Sequence, residues 1–273
     1  MRTVRVRRYA GLVVAGAVLL LGTGATASEE AAWALFAKVQ ELNHTTRAWT
    51  DRSQELRVKI VDRRNNERRR TIELFTRKEA NDASRSILFF LSPPEVQGIG
   101  LLQWIDPHQA DRHWLFLPAL KRIRQITGSS RRESFVGTDF SYEDLTLIQE
   151  ILDWTREDAD ISLAGEEDVD GRPCAMIDVQ PKDEDVGYGK IHLWLGKDDF
   201  VVHKFTFEDR NGRLAKTLLM SDVRMVKQIP AAHRMEMRNE RSGSHTIIEF
   251  AKIVFDTGLA EDMFTQRRLE KGI

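Results

Sequence analysis

Apolar and polar residues alternate with a period of two along most of this chain, first where Leu56, Val58 and Ile60 are interleaved with Arg57 and Lys59. That pattern predicts a strand with one wet face, and Asn65-Asn66 predicts the turn that folds residues 70–76 back onto it. The runs 87–91, 100–105 and 114–117 are apolar at successive positions, so each has to be covered on both faces. Later, turn signals at Asp170-Gly171, 197–200, Asn211-Gly212 and Ser242-Gly243 separate further alternating sets. These sets are Ile161 and Leu163, Ile177 and Val179, Ile191 with Leu193 and Leu195, Phe205 and Phe207, Met235 and Met237, and Ile248 and Phe250. The total is about eleven strands, more than a few helices can cover from one side, so the sheet has to curl.

Two stretches switch to helical spacing. Over 31–42, Ala31, Leu35, Val39 and Leu42 make a stripe flanked by Trp33 and Phe36, an amphipathic opening helix. The second is announced by residues 135–145, F-V-G-T-D-F-S-Y-E-D-L. Gly137 permits a backbone angle that a β-carbon disfavours, and Ser141 is placed as the N-cap with Asp144 in the acidic position of a capping box. Phe140 and Leu145 are spaced as a hydrophobic staple, Glu143 and Asp144 oppose the helix dipole, and Leu145, Ile148 and Leu152 form one apolar stripe.

The same stretch carries a family likeness. GTDFSYEDL at 137–145, with Pro118-Ala119-Leu120-Lys121-Arg122-Ile123-Arg124 ahead of it, resembles the LolA-like family of outer-membrane lipoprotein-sorting proteins, from about residue 31 to the end of the chain. The resemblance implies a mainly β fold with some α: an incomplete antiparallel β-barrel wrapped around helices, whose apolar hollow carries lipids or acyl chains across the periplasm. It also implies that the first helix lies inside the curved sheet. Read from residues alone, the same strands and helices suit a fully packed core with no guest, and the 135–145 stretch suits a well-built helix start.

Export is written in the first residues. Arg2, Arg5, Arg7 and Arg8 precede an apolar run over 9–21, and Ala25-Thr26-Ala27 offers a cleavage site, so 1–27 reads as a signal peptide and 28–273 as one mature, soluble periplasmic domain. The lone cysteine, Cys174, excludes an internal disulfide and a lipid anchor near the start, and reads as a buried apolar side chain. Lys and Arg total 41 against 42 Asp and Glu, spread along the chain, which leaves no field favouring nucleic acid. Pro93-Pro94 and 181–185 read as loops, and 258–269, with Leu259, Met263, Phe264 and Leu269, as a docked tail.

Reactive chemistry finds no foothold, so the chain reads as a non-enzyme without cofactor. Nucleophile-elbow, Walker and paired-cysteine motifs do not occur; Gly187-Tyr188-Gly189 starts a dinucleotide fingerprint, but His192 stands where its third glycine belongs. His192, His203 and His245 fall on neighbouring strands, leaving convergence on a metal open beside ordinary hydrogen-bonded roles.

The expected cavity lining is Trp33, Phe36, Phe75, Phe90, Trp104, Phe116, Phe140, Trp194, Phe205 and Met235, on which Trp104→Arg would abolish lipid uptake. The arginine-rich hairpin tip, Arg63, Arg64, Arg68, Arg69 and Arg70, is the candidate contact for anionic head groups or an acidic partner, with a solvated turn as its plain alternative. Expected partners are lipid or lipoprotein acyl chains, with an inner-membrane transporter or outer-membrane acceptor and transient membrane contact. The other functional class is a non-catalytic accessory subunit docking an envelope exporter.

Overall fold

The computed structural model of the chain describes residues 23–106 and 109–272. Most of the predicted signal peptide, residues 1–22, lies outside the described residues. The first helix, α1, runs Thr23–His44, and the strands begin with β1 (Asp51–Val61), β2 (Glu67–Lys78), β3 (Ser84–Ser92), β4 (Gly100–Asp106), β5 (Gln109–Leu117) and β6 (Arg122–Ile126). The motif opens α2 (Tyr142–Glu150). There follow β7 (Ala159–Val169), β8 (Arg172–Pro181), β9 (Tyr188–Gly196), β10 (Val202–Asp209), β11 (Leu214–Val226), β12 (Ile229–Asn239), β13 (Ser244–Phe255) and the last helix, α3 (Gln266–Lys271).

All thirteen strands among the described residues join one sheet in the order β6-β5-β4-β3-β2-β1-β13-β12-β11-β10-β9-β8-β7, and every pairing is antiparallel. Two hairpin wings therefore meet at β1 and β13, and the sheet stays open between β6 and β7. The strand count exceeds the expected eleven because β6 and β11 do not look like half-buried strands. Arg122, Arg124 and Gln125 of β6 are exposed, the charged composition that suits an edge strand. In β11 the alternation breaks at Ser221-Asp222, where Asp222 takes a φ of 53°.

The doubly apolar strands are covered twice, as their composition demands. On the concave face Leu88, Phe90, Leu101 and Leu115 join Leu56, Val58, Ile72, Phe135 and Tyr142 in one cluster. On the convex face Ile87, Phe89, Leu102, Trp114 and Phe116 are roofed by Phe264 and Leu269 of the C-terminal segment. Gly100 makes that roof fit, since a β-carbon there would stand 2.7 Å from Leu269 Cδ1. Trp104 Nε1 adds a hydrogen bond of 3.0 Å to the Phe264 carbonyl.

Asp51 anchors the start of this tail. Its carboxylate accepts from Thr257 N and Oγ1, each at 2.7 Å, and from Gly258 N at 2.9 Å. Burial pushes the Asp51 pKa up, but the hydrogen bonds from Thr257, Gly258 and Leu259 together outweigh burial and hold it below the ordinary carboxylate value. A depressed folded pKa means that this stabilisation is present above the unfolded value of about 3.9 and is lost as pH falls through the folded one. Amides of residues 257–271 are expected to gain hydrogen exchange in acid relative to the β-sheet core, and Asp51→Asn to show that faster exchange already at neutral pH. Tail protection unchanged by Asp51→Asn would show that the carboxylate does not hold the segment.

Candidate functional site

The hollow of the curved sheet is built around the 135–145 stretch. Val136 and Gly137 both take positive φ, 47° and 72°, turning the chain sharply ahead of the cap. The capping box forms as its spacing predicts: Ser141 Oγ accepts from Asp144 N at 3.1 Å, and Ser141 N donates to Asp144 Oδ2 at 2.7 Å. Phe140 is fully buried with Leu145 packed on the same cluster, completing the staple.

The acidic residues of the motif then reach across the hollow to the β7–β13 wing. Asp139 accepts from Thr246 Oγ1 at 2.6 Å and from Ser244 Oγ, both on β13. Asp144, with no exposed surface, accepts from Tyr188 of β9 at 2.6 Å and is paired with Lys216 of β11. Glu143 accepts from Gly187 N at 2.9 Å. Arg70 comes from the other side, donating to the Val136 carbonyl with its guanidinium 5.5 Å from the Phe90 ring. Burial and the contact with Asp144 push the Tyr188 phenol well above its ordinary pKa, so it stays protonated and donates.

The two helices fill much of the concave space. Ala32, Phe36 and Val39 of α1 are buried against the β7–β10 wing together with Leu147 of α2 and Ile151 after it. The inward stripe of α1 is therefore one position round from the expected one, with Ala31 exposed and Phe36 central. Between this cluster and the β1–β5 cluster runs a seam of apolar side chains that neither helix covers fully. Met220 on β11 pairs with Met235 on β12, Met235 with Ile248 on β13, and Ile248 with Val58 on β1. Met220, Met235, Ile248, and beyond them Phe250 and Leu74, remain partly exposed.

The sheet forks beside the seam. Pairing of β12 with β13 ends at Arg234↔Glu249; beyond it Ile229–Ala232 pair with β11, while Phe250 and residues 252–255 pair with β1. Lys227 bridges the fork at its open end, donating to the Phe255 carbonyl at 2.9 Å.

Of the ten residues expected to line a cavity, Trp33, Phe36, Phe90, Phe140, Phe205 and Met235 face the concave side. Phe36, Phe90, Phe140 and Phe205 are spent on packing, each at most 2% exposed. Phe75, Trp104 and Phe116 face the other way, under the C-terminal tail, and Trp194 packs on Val169 and Cys174. Parity explains the displacement: Phe75 is one residue from Leu74 and Trp104 one from Gln103, so each points opposite to its concave neighbour. Arg63, Arg64, Arg68 and Arg69 are exposed at the hairpin tip, but Arg70 is buried in the hollow, where Val58 pairs with it, and is no surface contact.

The histidines do not converge. His192 bonds Asp178 at 2.6 Å and Glu208 at 3.2 Å on the convex face, His203 bonds Asp199 at 3.0 Å, and His245 lies on β13. No cluster of ligating residues able to hold a metal occurs among the described residues.

A polar belt missed by sequence reasoning crosses the concave face. One register rung joins Arg52, Thr76, Ser86, Gln103 and His113 across β1–β5, and Gln54 stands two residues along β1 on the same face. Thr76 and Ser86 satisfy each other at 3.1 Å, and His113 Nε2 meets Thr146 Oγ1 at 3.3 Å. Arg52 Nε, Gln54 Oε1, Gln103 Nε2 and His113 Nδ1 are buried without a hydrogen-bond partner. Burial, then Arg131, lowers the His113 pKa to about 4, so its imidazole is neutral at physiological pH. Isolated polar residues inside apolar strands were the available signal, since a buried polar group needs a reason.

Solved structures share this architecture. An outer membrane lipoprotein-sorting protein domain from Vibrio parahaemolyticus superposes with a TM-score of 0.77 at 26% identity, covering 85% of this chain and 97% of its own. A DUF1329 family protein from Desulfovibrio piger gives 0.81 at 26%, covering 89% and 99%. A LolA superfamily protein from Nitrosomonas europaea gives 0.65 at 16%, covering 87% and 98%, a likeness of fold alone. A family model described as an uncharacterized protein matches residues 82–271. The chain belongs to this family, and it is LolA-like. No curated protein matches it. The open thirteen-stranded sheet around α1 and α2 is the LolA-like fold, and the matched region includes the whole 135–145 motif.

Proposed function

We propose that this LolA-like protein is a periplasmic carrier that binds lipid or lipoprotein acyl chains on its concave face and moves them between envelope membranes. The observation that carries the reading is the seam: an inward-facing row of flexible methionines and large apolar side chains, partly exposed between two packed clusters. Withdrawing each methylene of a cargo chain from water is worth about 0.8 kcal/mol, so a row crossing four strands offers substantial binding energy. No helix among the described residues is long and apolar enough to cross a membrane, and loading runs on differential affinity at the donor and acceptor.

The second reading, an accessory subunit docking an envelope exporter, draws on the helices that pack the hollow and on the exposed arginines of the hairpin tip. Two surface pockets, of about 80 Å³ beside Trp104 and Arg112 and about 310 Å³ beside Glu236 and Ser244, lie away from the seam. Native mass spectrometry of freshly purified protein, with uptake of a fluorescent fatty acid by delipidated protein, separates the two. Co-purified lipid and saturable uptake are expected; absence of both would leave the accessory reading standing.

A further inference from the structure

The polar belt ends at a cation that no described residue neutralises. Arg52 makes no hydrogen bond or ion pair among the described residues, its Nε is shut off from solvent, and its Cζ stands 5.0 Å from the Trp49 ring. Lys78 Nζ lies 4.9 Å from the same ring, so two cations share one indole. Desolvation brings the Arg52 pKa down to about 10, still leaving the guanidinium charged at physiological pH. An arginine held this way without a counter-ion is costly, and a planar fork of donors suits a phosphate or carboxylate.

Its position relates it to the seam. Arg52 is in register with Phe255, at the fork between β12 and β13, and Trp49 packs on Phe255 with ring centroids 5.7 Å apart. From there the same concave face runs through Gln54 and Leu74, then Leu56 and Phe250, to Val58 and Ile248. The path along β1 from Arg52 to Val58 is roughly 20 Å at the rise of an extended strand, charged at one end and apolar at the other. Gln54 Oε1, buried and without a donor, stands between them as an acceptor for a head-group hydroxyl.

Resting on the carrier reading, we propose that the cargo is an anionic amphiphile whose phosphate or carboxylate pairs with Arg52, with Lys78 adding to the field, while its chain lies along the seam. The test is isothermal titration of the full mature protein with lysophosphatidylglycerol and lysophosphatidylcholine of equal chain length, below their micelle concentrations, and with inorganic phosphate alone. The wild type is expected to bind the anionic lipid at least about tenfold more tightly than the zwitterionic one, as one charge-assisted bond predicts, and phosphate alone far more weakly than either. Arg52→Gln is expected to erase the preference and Arg52→Lys to keep part of it, with unchanged circular dichroism as the folding control. Equal affinity for the two lipids would overturn the head-group assignment while leaving a carrier. Tight binding of phosphate alone would make the cluster a free-anion site and overturn it too, and binding of neither lipid would remove the carrier reading with it. If Arg52→Gln does not fold, the wild-type comparison and Arg52→Lys still decide.

Discussion

Replacing Asp144 with alanine is expected to lower the unfolding free energy by about 3–5 kcal/mol, the cost of removing one partner from a buried charge pair. One carboxylate holds three elements together: it closes the capping box on Ser141 N, accepts the Tyr188 hydroxyl at 2.6 Å and pairs with Lys216. With no exposed surface on Asp144, water cannot replace it, so its loss leaves an ammonium, a phenol and a helix-start amide short of a partner. Lys216→Met alone is expected to destabilise by less, because the remaining carboxylate keeps Tyr188 and the cap. The double variant should recover part of the sum, with a coupling of about 1–3 kcal/mol in urea unfolding. A loss below about 1 kcal/mol for Asp144→Ala would mean that this carboxylate does not fasten the start of α2 to β9 and β11.

That network shows where sequence reasoning reaches and where it stops. The cap, the staple and the glycine turn are local, determined by residues three or four apart, and they form as the spacing predicts. What Asp139 and Asp144 do beyond the helix depends on β13, β9 and β11, partners separated by 44 to 107 residues, which no local pattern reveals. Face assignment failed for a different reason. Phe75, Trp104 and Phe116 sit in strands apolar on both sides, and a period of two says that two faces exist without saying which is inside. The tail that covers the outer face lies more than 140 residues beyond those strands. Arg70 was hidden by its neighbours: in a run of arginines, alternation alone puts one of them indoors, where it meets Val136. The fork and the unpaired Arg52 arise from the pairing of distant strands and were legible only in the assembled sheet.

Met235→Arg is expected to reduce uptake of a fluorescent fatty acid by about a hundredfold or more while leaving the far-ultraviolet spectrum intact. Met235 lies at the middle of the seam, between Met220 and Ile248, so a guanidinium there interrupts the only apolar path proposed for the chain. Losing contact with four methylenes costs about 3 kcal/mol at about 0.8 each, and every 1.4 kcal/mol is tenfold in affinity. The fold tolerates the change because Met235 is only partly buried, and a long side chain can lie along the strand with its charge turned to water. Trp104→Arg is the matched control, with the opposite expectation from the one its sequence position suggests. Its indole lies beneath the C-terminal tail and donates to Phe264, so the substitution should loosen residues 257–271 and raise their hydrogen exchange without abolishing uptake. If Trp104→Arg abolished uptake and Met235→Arg did not, cargo would bind on the convex side under the tail, and the concave seam would have no part in carrying it.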